Sequence, residues 1–145
     1  MAKKSTQTHQ FCGALMLAIV AGCSADKAQQ HVEKQQAGDI TVAAITMPGF
    51  PEVGETVTMA IELSRAGQPV SGCKVGSRQY MPGMEMSSDQ TVLALTEGST
   101  TPGHYRSSGR SVEFTMGGDW VFEVQLDCAD ASNSIDFKYH LEWPE

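Results

Sequence analysis

The chain predicts an all-β domain, a two-layer antiparallel β-sandwich of about seven strands. Three observations carry that expectation. Apolar and polar residues alternate with period two in several segments after Asp39. Glycine, proline and asparagine clusters punctuate those segments. No stretch there has the 3.6-residue period of an amphipathic helix. Alternation alone also fits a barrel, which is the main alternative.

The first expected strand runs from Ile40 to Thr46 and is ended by Met47-Pro48-Gly49-Phe50-Pro51. In Thr56 to Ser64, residues Val57, Met59, Ile61 and Leu63 share one face, because successive side chains point to opposite sides of a strand. Arg65 to Pro69 reads as a turn. Val70 to Gln79 is a third strand, with Cys73 and Val75 on one face, and Thr91 to Thr96 is a fourth. Glu97 to Gly109 reads as irregular, since it holds Pro102-Gly103 and Ser107-Ser108-Gly109. Ser111 to Met116 is a fifth strand, burying Val112, Phe114 and Met116. After Gly117-Gly118-Asp119, the sixth strand puts Trp120, Phe122, Val124, Leu126 and Cys128 inside and Glu123, Gln125 and Asp127 outside. The seventh lines Ile135, Phe137, Tyr139, Leu141 and Trp143 along its buried face.

The N-terminus is not expected to join this domain. Lys3 and Lys4 precede an apolar run from Phe11 to Ala21, too short to span a bilayer and laid out as an export signal. Val20-Ala21-Gly22-Cys23 resembles the lipobox of bacterial lipoproteins. That resemblance implies cleavage before Cys23, acylation of Cys23 (palmitate among the chains) and a place in the cell envelope, on its periplasmic or extracellular face. Ser24 fits outer-membrane sorting if the cell is Gram-negative. Residues 1–22 are then a signal peptide, 23–38 a polar tether and 39–145 the domain. His31 falls in the tether and is expected to be solvated. Loss of Lys3 and Lys4 takes the formal charge from −7 to −9. With no basic stripe, nucleic acid is not an expected partner. The membrane is, through the lipid anchor.

The cysteines divide by position. Cys12 leaves with the signal and Cys23 takes lipid, so Cys73 and Cys128 remain in a compartment that permits disulfides. A bond between them is one reading; a redox or copper-thiolate pair is the other.

Met81-Pro82-Gly83-Met84-Glu85-Met86 places three thioethers within six residues. Thioethers are soft, neutral ligands that suit Cu(I) and need no deprotonation. Pro82-Gly83 favours a turn that brings Met81 and Met84 together. An up-and-down count of strands gathers Met47, Met81 to Met86, and Met116 at one end, near His140 and Trp143. The same count sets Cys73 and Cys128 at the other end, where the tether enters, so the methionine end faces away from the membrane. Met81, Met84 and Met86 are the candidate copper ligands. Met47, Met116, His104 and His140 are secondary candidates. Core filling is the ordinary role of methionine, and Met59 and Met116 on apolar faces fit it. His104 also reads as an ordinary loop histidine, and His140 as a solvated one on an outward strand face.

Gly54 followed by alternation, then AGQPVSGCKV, MPGMEM, PGHY and FTMGGDW, resembles the YtkA-like domain family, with a layout similar to the related FixH family. The resemblance runs from about Gly54 to Leu126. It implies an immunoglobulin-like sandwich, exported or membrane-anchored. Through FixH-like proteins it implies a link to assembly of a copper-containing terminal oxidase. Family members often carry histidine close behind the methionine segment; Ser87 and Ser88 stand there in this chain. The sequence holds no Gly-rich phosphate loop, His-x-x-x-His pair or nucleophile elbow, so an enzyme is not expected. Two functions follow. One is a lipid-anchored domain that binds or passes copper through its methionine-rich loop. The other is a metal-free assembly module that contacts another envelope protein or a membrane complex.

Overall fold

A computed structural model describes residues 29–84, 92–108 and 111–145. Its strands, in chain order, are β1 (His31–Ala37), β2 (Ile40–Met47), β3 (Thr56–Arg65), β4 (Gln68–Pro69), β5 (Lys74–Tyr80), β6 (Leu93–Gly98), β7 (Thr101–Arg106), β8 (Val112–Glu113), β9 (Gly118–Cys128) and β10 (Ala131–Leu141). The described residues are all-β, and every strand pairing is antiparallel. The order is β1-β2-β3-β7-β6-β5-β9-β10, with β4 and β8 adding to β3.

Strand β6 joins the two layers. Its first half, Leu93 to Leu95, pairs with β5, and its second half, Thr96 to Gly98, pairs with β7. A strand that changes sheets in this way makes the corner of a sandwich. At the other side the terminal strands approach each other, where Gln35 Nε2 donates to the Asp136 carbonyl at 2.7 Å. The result is a sandwich that is nearly closed.

The inward rows of β3, β9 and β10 supply most of the core. Trp120, Tyr105, Tyr139, Phe114, Phe122 and Phe137 are its largest fully buried side chains. Phe114 meets Trp120 edge-on, with ring centroids 5.3 Å apart. Burial of each such side chain stabilises the fold by roughly 1.5–3 kcal/mol. Cys73 and Cys128 are bonded to each other across 55 residues. The bond ties the start of β5 to the end of β9, closing the end of the sandwich that also holds the Arg65–Asp130 ion pair.

Four expectations need correction. The stretch assigned as tether contains β1, so His31–Ala37 belongs to the sheet. Only Ala37 of that strand is buried, and a strand at the end of the sheet order needs no apolar face to pair. The irregular region contains β7, which pairs with both β3 and β6. Trp143 is not part of the buried row and is 63% exposed. The β9–β10 ladder ends at the Gly118–Leu141 pair, so Trp143 has no strand beside it. Glu123, expected in solvent, is only 7% exposed.

The added strand β1 also reverses the direction of entry. The chain arrives at His31, opposite Thr46, and Gln30 Nε2 donates to the Met47 sulfur at 3.4 Å. It therefore enters at the methionine end, and the disulfide lies at the far end.

Candidate metal-binding end of the sandwich

Strand pairing builds this end. The register pairs Met47 with Thr58, Thr56 with Glu113, Tyr80 with Val121 and Leu141 with Gly118. The end of β2, the start of β3, the end of β5, β8, the start of β9 and the end of β10 therefore share one side. Residues Met47, Met81 and Met116, distant in sequence, are brought to it as the strand count expects.

Met81 follows β5 directly and is partly buried against the core. Its Cε lies so near Gly118 that an added Cβ would come within 2.8 Å of it. Gly118 also has φ +125°, a backbone angle that favours glycine. Met116 is partly buried as well, and its carbonyl accepts a hydrogen bond from Trp120 Nε1 at 2.8 Å. Between Met81 and Met84 the chain turns as Pro82-Gly83 dictates, with the Met84 N–H donating to the Met81 carbonyl at 3.2 Å. That turn leaves Met84 50% exposed. The Trp143 ring lies over Gly117, where an added Cβ would be 2.7 Å from Cδ1. Met59 is a core residue, 3% exposed. Met86 and Cys23 lie outside the described residues.

The histidines are already engaged. His140 Nδ1 is 2.6 Å from Asp119 and its Nε2 is 3.2 Å from Glu142. The hydrogen bond to Asp119, and that carboxylate's charge, raise the His140 pKa above its ordinary value. Both ring nitrogens face carboxylate oxygens, and a metal would have to displace one of those contacts. His104 is not at this end. It lies on β7 opposite Glu62, roughly 17 Å along β3 from Val57 at the strand rise. Arg106 Nε donates to His104 Nε2 at 2.7 Å, which leaves Nδ1–H to donate to Glu62 at 3.1 Å. The one free lone pair of a neutral ring is thereby used. His31 sits at the methionine end, 3.0 Å from Glu33 and edge-on to Phe50.

Among the described residues, no three His, Cys, Asp or Glu side chains converge as a metal-holding group. Among the described residues, the soft donors at this end are thioethers. Sequence reasoning missed Phe50 and Gln30 here, because Met47 to Pro51 reads only as a strand terminator and Gln30 as tether.

The YtkA-like family model matches residues 34–125. No curated protein and no solved structure shows a significant match. The matched span begins inside β1 and takes in Met47, Met81, Met84 and Met116, while His140 and Trp143 fall beyond it. With well over half of its length covered, the chain belongs to the YtkA-like family.

Proposed function

We propose that this chain is a lipid-anchored, extracytoplasmic binding domain, not an enzyme, that takes up Cu(I) at its methionine end. Met81, Met84 and Met116 are the proposed ligands, with Met47 at the same end as a further candidate. The supporting observation is that the strand register sets these residues at one end of the sandwich. Met81 packs on Gly118, two residues from Met116, and the Pro82-Gly83 turn returns Met84 to the same side. His140 is held by Asp119 and Glu142, His31 by Glu33, and His104 lies away from this end, so the proposed donor set is the thioethers, soft and uncharged, which favours Cu(I) over harder ions.

A thioether site has no proton to lose, so its affinity should stay level from about pH 5 to 8. A histidine site weakens as its ring protonates near its ordinary value of about 6.5. Titration of the soluble domain with Cu(I) against a competing chelator tests the reading. The expected outcome is uptake of one ion per chain, level with pH, and at least tenfold weaker in Met81→Leu/Met84→Leu. Absence of uptake by the unaltered domain, or uptake indifferent to both substitutions, contradicts it.

A metal-free assembly module is the second reading. Exposure of Phe50, Met84 and Trp143 at this end favours it. Strand addition at β1 or β10 is a poorer form of that reading, since the two approach each other through Gln35 and Asp136. In that case the titration shows no uptake.

A further inference from the structure

We propose that the methionine end rests on the bilayer surface, with Phe50, Met84 and Trp143 at the level of the lipid headgroups. This rests on the reading of Cys23 as the acylated residue, and extends it from attachment to orientation.

Two observations carry it. The first is the point of entry. Gln29 and Gln30 lie against Gly49 and Met47, so the described chain starts at this end. Six peptide units separate Cys23 from Gln29 and reach roughly 20 Å when fully extended. The sandwich is longer than that. Strand β9 alone, running from Gly118 at this end to the disulfide at Cys128, spans roughly 33 Å. An anchor on Cys23 therefore cannot turn the domain end over end, and the disulfide end stays in water.

The second is the distribution of exposed apolar side chains. Among the described residues the large exposed ones are Val32, Phe50, Met84, Val92 and Trp143. Phe50, Met84 and Trp143 lie beyond the ends of β2, β5 and β10, all at the entry end. Phe50 touches His31 and Tyr139, and Trp143 covers Gly117. Aromatic side chains with one wet edge favour the interfacial layer of a membrane. Asp119 and Glu142 flank Trp143 with side chains 82% and 88% exposed. They hold the end at the headgroups instead of deeper, and they favour zwitterionic over anionic lipid.

The test uses the full acylated chain in phosphatidylcholine vesicles whose acyl chains carry bromine near the headgroup. The chain should float with the vesicles. Emission from Trp143 should fall at least twofold, identified by its absence in Trp143→Phe. A tryptophan placed at the far end by Ser132→Trp should stay unquenched. Adding anionic lipid at low salt should weaken the quenching, and salt should restore it. Flotation with Trp143 unquenched overturns the orientation and leaves Cys23 acylation standing. That outcome would leave the end in water for a protein partner. Equal quenching at both ends means the domain lies on its side and also overturns it. Failure to float overturns the anchor and the orientation together.

Discussion

The hydroxyl of Tyr139 is enclosed beside the methionine end and has no hydrogen-bond partner among the described residues. Burial, with the Glu33 carboxylate nearby, pushes its pKa well above the ordinary value of 10.0. An unpaired buried hydroxyl costs free energy that a phenyl ring does not. Tyr139→Phe is therefore expected to leave stability unchanged or raise it by about 1 kcal/mol, read from urea unfolding. A loss above about 1 kcal/mol would mean the hydroxyl has a partner, such as an enclosed water. Alternation in the sequence fixes the side of the strand on which Tyr139 lies. It carries no information about whether its oxygen is paired. Glu123 shows the same limit from the other face. Its position in the outward row was legible, but its enclosure was not, because that depends on Arg78 of a neighbouring strand.

Strands β5 and β9 are joined on their outer face by that pair. Arg78 reaches Glu123 with two nitrogens, at 2.7 Å and 2.6 Å. Burial alone would raise the Glu123 pKa. Hydrogen bonds from Gln125 and Arg78, the Arg78 charge and a hydrogen bond from Ser134 outweigh it and hold the carboxyl below 4.5. A carboxyl depressed in the folded state adds stability above its unfolded value, and that stability is lost as pH falls through the folded value. Arg78→Met leaves desolvation unopposed by the guanidinium and should cost roughly 2 kcal/mol near pH 7, less than for a fully buried pair because Arg78 is partly exposed. The deficit should shrink as pH falls below the ordinary carboxyl range and Glu123 takes up its proton. A deficit that is constant across that range would contradict this account.

Legibility followed packing at this scale. Strands β3, β9 and β10 were readable because each carries a full inward apolar row. Strand β1 was not, since HVEKQQA buries only Ala37 and its remaining residues resemble a linker. Strand β7 was hidden by Pro102-Gly103, a turn signal within a paired strand. The signal marks an irregularity and not a strand end: Gly103 has φ +74°, and the β6–β7 register shifts between Glu97 and Gly98. Glu97 fastens that point. Its carboxylate accepts from the Gly103 N–H at 2.7 Å and the Gly72 N–H at 2.9 Å. Those two bonds hold its pKa below the ordinary value against an opposing effect of desolvation.

The molecule as a whole has two chemically distinct ends. At one, the Cys73–Cys128 bond, Glu97 and the Arg65 ion pairs with Asp39 and Asp130 fasten the strands. In the chain-entropy picture, closing a loop of that length stabilises the fold by roughly 4 kcal/mol. At the other end, the chain enters among thioethers and exposed aromatic rings. The strand count set Met47, Met81 and Met116 at one end, and the missed β7 leaves this unchanged because β7 and β8 both run antiparallel to β3 and so in one direction. It placed the entering chain at the wrong end because one polar strand was read as tether, and a single added strand exchanges the ends. X-ray absorption at the copper edge on the Cu(I)-loaded domain tests the central claim most directly. The account predicts a first shell of sulfur alone, depleted in Met81→Leu/Met84→Leu and unchanged in His140→Gln. A shell containing nitrogen that disappears in His140→Gln would contradict it.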